Sequence, residues 1–305
     1  MSTDAPVAVG VDVGGTKVLA LALRAGDSLD PVGENRVPTP DTGEGLLEAI
    51  EQTAREAAKD AGAEIGAVAV GVPGLVDSRG VMRFAANLPG VFDLPLKATL
   101  SERLGVPVTI DNDANAAAWG ERCAGAGENA DHLLMVTLGT GVGGGLVLDG
   151  QLYRGAHGMA GEIGHFVVQL DGVPCQCGQR GCWEKYASGT ALGRIAREAG
   201  FDSGEQVVDK AGRGDEKALA VLHTFTRWIA IGLAGLANTL DPSVIVIGGG
   251  LIEAGDLLLA PLRAQFNDLV EGGPHRPEMP IRPATLGERA GGIGAALLAR
   301  EILAK

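Results

Sequence analysis

The sequence predicts a two-domain α/β protein built by internal duplication, and three observations carry that expectation. Strand-like apolar runs alternate with helical periodicities along the chain. An acceptor residue followed by a glycine turn occurs once in each half, after Asp12 and after Thr137. Glycine accounts for 48 of 305 residues, more than twice the usual ~7%, with no Gly-x-y period, so the glycines serve particular loops. Hydrophobic residues at 46% and charged residues at 21% give a normal soluble mix able to bury a core.

Residues 7–23 read as two strands joined by the Gly14-Gly15 turn. Leu46, Leu47, Ile50, Ala54, Ala57 and Ala58 recur at helical spacing, with Thr42 placed to cap. The apolar runs 67–72 and 106–110 are strands, the first closed by Pro73-Gly74 and the second by Asp111-Asn112-Asp113 ahead of an Ala-rich helix. Residues 133–138, the turn Gly139-Thr-Gly-Val-Gly-Gly-Gly145 and residues 146–148 repeat the opening arrangement. A Cys-rich loop follows, then helices over 191–199 and 216–240, a strand over 244–247 ending in Gly248-Gly249-Gly250, and helices over 257–269 and 292–303. The duplication places one domain at 1–112 with the C-terminal helix 291–305, and a larger one at 113–290.

A net charge of -13 disfavours nonspecific attraction to nucleic acid or to an anionic membrane. Residues 228–252 are apolar enough to suggest a membrane span, but Asp241-Pro242 and the triple glycine break them into helix, turn and buried strand. The first six residues carry no basic region, so no signal peptide and a cytoplasmic location are expected.

Glycine turns at strand ends let backbone N–H groups approach phosphate oxygens. The turn at 12–17 fits neither the Walker pattern nor a dinucleotide fingerprint, and Gly141-Val-Gly-Gly leads into a strand rather than a helix. Three such loops, one from the first half and two from the second, can converge on one triphosphate in a central cleft between two domains. That is the actin-like (ribonuclease H-like) ATPase arrangement.

Cys175, Cys177 and Cys182 form Cys-x-Cys-Gly-x-x-Gly-Cys, with His165 ten residues upstream. Close cysteines with a nearby His in a chain expected to be cytoplasmic point to a metal rather than a disulfide. A Cys₃His set suits tetrahedral, structural zinc with no open position. Asp111, Asn112, Asp113 and Asn115 lie where a strand meets a helix. Capping explains one of them, while a carboxylate there can also accept a proton from a substrate hydroxyl, with Asp113 the candidate. Taken singly, Glu162 and Glu184 read as surface carboxylates, and Asn87 as a residue of the turn before Leu88-Pro89-Gly90.

Five motifs in order, Asp12-x-Gly-Gly-Thr-Lys17, Asn112-Asp113-Ala-Asn115, Leu138-Gly-Thr-Gly-x-Gly-Gly-Gly145, Gly161-Glu-Ile-Gly-His165 and Cys175-x-Cys-Gly-x-x-Gly-Cys182-Trp-Glu184, resemble the ROK family of sugar kinases and repressors, and most closely its bacterial glucokinases. The resemblance implies transfer of the ATP γ-phosphoryl group to the 6-hydroxyl of a hexose, glucose first. It makes Asp113 the base and assigns sugar hydroxyls to Asn87, Asn112, Asp113, Glu162, His165 and Glu184, with His165 also a zinc ligand. Asp12 resembles the residue that organises Mg²⁺. Gly14, Gly15, Thr16, Lys17, Gly139, Thr140, Gly141, Gly249 and Gly250 are assigned to ATP. The family suggests a homodimer or homotetramer. Repressor members carry a DNA-binding domain ahead of the first hairpin, whereas here six residues precede the first strand, so a kinase is expected. The alternatives are another hexose (N-acetylglucosamine, mannose or fructose), polyphosphate as donor, or a non-catalytic sugar sensor. The lack of a Lys/Arg run favours ATP.

Overall fold

The computed structural model describes residues 5–26, 28–85 and 91–304. The chain forms two compact units: Met1–Asp131 with Gly145–Gly161 and Thr285–Lys305, and His132–Gly144 with Glu162–Ala284.

The first unit opens with β1 (Val7–Val13) and β2 (Lys17–Leu23), paired antiparallel from Ala8↔Leu23 to Val13↔Val18. Both are nearly continuous apolar runs, as strands covered on both faces require. After β3 (Gly33–Pro38), α1 (Gly43–Asp60) starts where Thr42 Oγ1 accepts the Gly45 N–H at 3.1 Å. Next come β4 (Ile65–Val72) and a small sheet of β5 (Leu75–Val76), β6 (Met82–Phe84) and β7 (Phe92–Leu94). Then α2 (Leu96–Leu104), β8 (Val108–Asn112) and α3 (Asp113–Ala124) lead out.

The chain continues through β9 (Leu133–Leu138), β10 (Val142–Leu148) and β11 (Gln151–Leu152). Helices α4 (Glu184–Ala187), α5 (Gly189–Glu198), α6 (Gly204–Gly212) and α7 (Glu216–Leu240) follow. They lead to β12 (Val244–Gly248), α8 (Asp256–Leu269), β13 (Ile281–Pro283) and α9 (Ala290–Leu303).

The sheet orders β3-β2-β1-β4-β8 and β11-β10-β9-β12-β13 correspond strand for strand. In each, a central strand is followed on one side by two parallel strands, β4 and β8 in the first and β12 and β13 in the second. The duplication expected from the two glycine hairpins therefore extends through the whole sheet.

One face of the first sheet packs Val9, Val11, Val68 and Val70 against Leu46 and Ile50 of α1 and Leu96 and Leu100 of α2. The other face packs Leu19, Leu21 and Leu23 against Ile293, Ala296 and Leu297 of α9. Helix α9 lies so close to β1 that a Cβ at Gly10 would overlap the Ala296 backbone.

The division of the chain departs from the sequence boundary at 112/113. Helix α3 belongs to the first unit, because it interlocks with α9: a Cβ at Gly294 would overlap the Ala116 carbonyl, and one at Gly120 would meet the Ala290 carbonyl at 2.6 Å. Segment 145–161 joins the same unit, with Gly145 against the Ala114 carbonyl. The Cys-rich loop stays in the second unit. Helix α7 is long and apolar enough to cross a membrane by length and composition, but it buries Val221, Phe225, Ile229 and Leu233 in the core. The Trp183 indole fills the space at Gly232 and donates to the Trp228 carbonyl at 2.8 Å.

Candidate active site

In the first unit, the β1–β2 turn is closed by the Gly14 N–H donating to the Lys17 carbonyl at 2.8 Å. It is braced by Thr39, whose hydroxyl donates to the Gly14 carbonyl at 2.7 Å. Gly15 and Thr16 are exposed. The Lys17 ammonium pairs with the Glu288 carboxylate, which also meets Arg36 Nη2 at 3.3 Å. Asp12, at the end of β1, abuts the first turn of α9, where a Cβ on Gly291 would fall 2.6 Å from its Cγ. Burial pushes its carboxyl up to about 6, with Lys17 opposing the shift. A buried carboxylate held up in this way is a suitable oxygen ligand for a hard cation.

The β8–α3 elbow resolves the capping question. Asn112 is the cap: its Oδ1 accepts the Ala114 and Asn115 N–H groups at 2.8 and 3.3 Å, and its Nδ2 donates to the Gly74 carbonyl at 3.2 Å. Asp113 begins the helix, with Oδ1 accepting the Ala114 N–H at 2.8 Å. Asp111 is buried and accepts the Asn112 N–H and Asn115 Nδ2, both at 2.9 Å, on one oxygen, while Arg154 Nε reaches the other at 2.6 Å. Asn115 is fully buried. Arg154 and the bracing role of Asp111 were not singled out in the sequence, since a partner 43 positions away leaves no local pattern.

In the second unit, Glu162 caps and His165 ends a single helical turn, His165 N–H donating to the Glu162 carbonyl at 3.1 Å. Burial raises the Glu162 pKa above the usual carboxylate value, against the pull of His165 and with the help of the Glu184 charge. The ligand atoms of His165, Cys175, Cys177 and Cys182 all lie within 4.8 Å of one another. His165 turns Nδ1 toward Cys175 Sγ at 3.7 Å. Burial and its two neighbouring thiols push Cys182 up to about 12. Thiols crowded so closely favour a bound cation that takes their charge, and Cys₃His at this spread fits tetrahedral zinc.

Glu184 opens α4 two residues beyond Cys182 and accepts the Val142 N–H at 3.2 Å, at the exit of the second glycine hairpin. The same stretch grips the hairpin twice more: Gly189 N–H donates to the Gly139 carbonyl and Thr190 Oγ1 to the Thr140 carbonyl, both at 2.7 Å. A side chain at Gly141 would strike Glu184 Oε2 at 2.5 Å. Gly139, Thr140 and Gly250 line a cavity of about 840 Å³. Leu192, Val208 and Leu251 give it apolar walls, and Glu205, Asp209 and Glu253 give it acidic ones. Gly249 holds φ at 83°, and a Cβ there would come within 2.6 Å of the Leu138 carbonyl carbon.

The sites expected from sequence thus fall into two groups. Asp12, Gly14–Lys17, Asn112 and Asp113 lie in the first unit, and Glu162, His165, Glu184, the cysteines and the 139–141 and 249–250 loops lie in the second. Asn87 lies outside the described residues.

A duplicated sheet with a glycine hairpin at each central strand is the arrangement of the actin-like ATPase fold. The ROK family profile matches residues 8–302, and the chain belongs to the ROK family. It is similar to the glucokinase of Streptomyces coelicolor, 39% identical over 313 residues covering 96% of this chain and 97% of that one. Among solved structures it is similar to a ROK family glucokinase from Streptomyces griseus in complex with glucose and AMPPNP (39% identity, TM-score 0.85, covering 97% and 99% of the two chains). It is also similar to a ROK hexokinase from Thermus thermophilus (37%, TM-score 0.83, 98% and 99%).

Proposed function

We propose that the chain is an ATP-dependent glucokinase that phosphorylates the 6-hydroxyl of glucose, giving glucose 6-phosphate and ADP. The observation that carries the reading is its full-length similarity to the Streptomyces griseus enzyme bound to glucose and AMPPNP. The side chains described above supply its chemistry. Asp113 takes the proton of the attacking hydroxyl, while Asn112, Glu162, His165 and Glu184 hold and orient the sugar, with Asn87 assigned to the same task by resemblance. Positioning and charge neutralisation dominate phosphoryl transfer. The backbone of Gly14, Gly15, Thr16, Gly139, Thr140, Gly141, Gly249 and Gly250, with Lys17, would cradle the phosphates. Mg²⁺ arriving with ATP would be held through Asp12 and would neutralise phosphate charge. Zinc on His165, Cys175, Cys177 and Cys182 would be structural, fixing the His165 ring so that its second nitrogen faces the sugar.

The acidic and apolar walls of the 840 Å³ cavity favour a nucleoside over a polyanionic chain, since no Lys or Arg is among its described lining residues. The same reading puts the enzyme in the cytoplasm, at the entry of glucose into glycolysis, as a homodimer or homotetramer. A coupled assay of purified protein on glucose, N-acetylglucosamine, mannose and fructose, each with ATP or polyphosphate, tests it. Glucose with ATP should give the highest kcat/KM, and a higher value for any other pair would replace the assignment.

A further inference from the structure

Arg154 has no place in the reading above, yet its guanidinium reaches the base of the β8–α3 elbow. It follows β11 in a segment held by its own backbone: Tyr153 N–H donates to the Leu146 carbonyl at 2.8 Å and Ala160 N–H to the Arg154 carbonyl at 3.1 Å. The segment is pinned again where Ser78 N–H donates to the His157 carbonyl at 2.9 Å. From this fixed backbone Arg154 Nε donates to Asp111 Oδ2 at 2.6 Å. The other Asp111 oxygen gathers the Asn112 N–H and Asn115 Nδ2, so one buried carboxylate fixes the residues on both sides of Asp113.

The two ends of the ion pair differ in exposure, 43% for the Arg154 side chain and 7% for Asp111. With the cation removed, Asp111 keeps the Asn112 N–H and Asn115 Nδ2 donors, which limits the cost to fold stability. What the cation does is hold the orientation of a buried anion that would otherwise turn toward its remaining donors, Asn112 and Asn115, and tilt the first turn of α3. A reacting group misplaced by about 1 Å can cost on the order of 10²-fold in rate.

We propose that Arg154 is a positioning residue for phosphoryl transfer, clamping Asp111 so that the Asn112–Asn115 turn aims the Asp113 carboxylate. The proposal rests on the reading of Asp113 as the base. The test is steady-state kinetics on the full chain with glucose and ATP, alongside thermal melting. Arg154→Met should lower kcat by about 10- to 100-fold with the glucose KM within about threefold and Tm within roughly 2–4 °C of wild type. Arg154→Lys should recover part of the loss. The double variant Arg154→Met/Asp111→Asn should be more active than Arg154→Met alone, since a neutral amide no longer needs the cation. Adding Arg154→Met to Asp113→Asn should cost little more. A wild-type kcat in Arg154→Met beside an inactive Asp113→Asn enzyme would overturn the positioning role alone. An active Asp113→Asn enzyme would overturn the base assignment and this proposal with it.

Discussion

Asp113 is held at the first position of α3 by the Ala114 N–H at 2.8 Å, an orientation that an amide can keep while losing the capacity to take a proton. Asp113→Asn should therefore lower kcat by about 10²- to 10⁴-fold, with glucose affinity by calorimetry within about threefold of wild type. Asp12 makes a prediction of a different kind. Its folded pKa of about 6 lies above the ordinary carboxyl value of 3.8, so between those values the folded protein holds a proton that the unfolded chain releases. Its contribution to stability is thus fullest below the lower value and is lost as pH rises through the upper one. In metal-free protein, Asp12→Asn should raise Tm by roughly 2–4 °C at about pH 8, and the gain should vanish near about pH 4. A constant difference across that range would show that Asp12 is not the titrating group. At this scale the sequence revealed the residues whose neighbours in the chain form a pattern. Arg154 and Glu288 escaped it because their partners, Asp111 and Lys17, are distant in sequence.

The element that joins the most chemistry is the stretch from the Cys-rich loop through α4 to the start of α5. Its cysteine spacing was legible because a ligand set of short range must be written locally. Its grip on the second glycine hairpin was not, because the Val142–Glu184 bond spans 42 positions. Purified protein is expected to carry about one zinc per chain, and Cys177→Ser to lose it. Zinc-free protein should melt lower and bind glucose about 10- to 100-fold more weakly. Because Glu184, Gly189 and Thr190 hold Val142, Gly139 and Thr140, AMPPNP should weaken as well, by a smaller factor. Calorimetry of both ligands on zinc-loaded and zinc-free protein measures the two effects, and full activity in metal-free protein would end the zinc reading. Shorter elements, such as α2, α6 and the small β5–β7 sheet, were not read from the sequence. Their periodicities run for nine residues or fewer and compete with turn signals on either side.

Across the whole molecule, the duplicated hairpins revealed the architecture, since each half had to repeat the same strand, turn and strand. The boundary between units was not legible: the interlock of α3 and α9 through Gly120 and Gly294 is a tertiary contact with no composition shift to announce it. Donor choice belongs to this scale too, because the acidic cavity adds to a chain whose net charge is already -13. Polyphosphate at a concentration matched to ATP should support less than about a tenth of the ATP rate. Comparable rates with both donors would remove the cavity as the selector.

The first unit is assembled from three stretches of chain, and the last of them, Thr285–Lys305, carries the helix that covers Leu19, Leu21 and Leu23. On the ribosome the opening strands are made first, but their second face has no cover until Thr285–Lys305 has emerged. Until then the nascent chain must carry that bare leucine surface past other proteins, with the whole second unit emerging in between. A chain stopped after Ala284 should keep the hydrophobic face exposed, bind a reporter dye such as ANS and recruit chaperones. Mutations that slow translation of Thr285–Lys305, or that bulk up Gly292 or Gly294, would thus show in yield of folded protein before they show in catalysis.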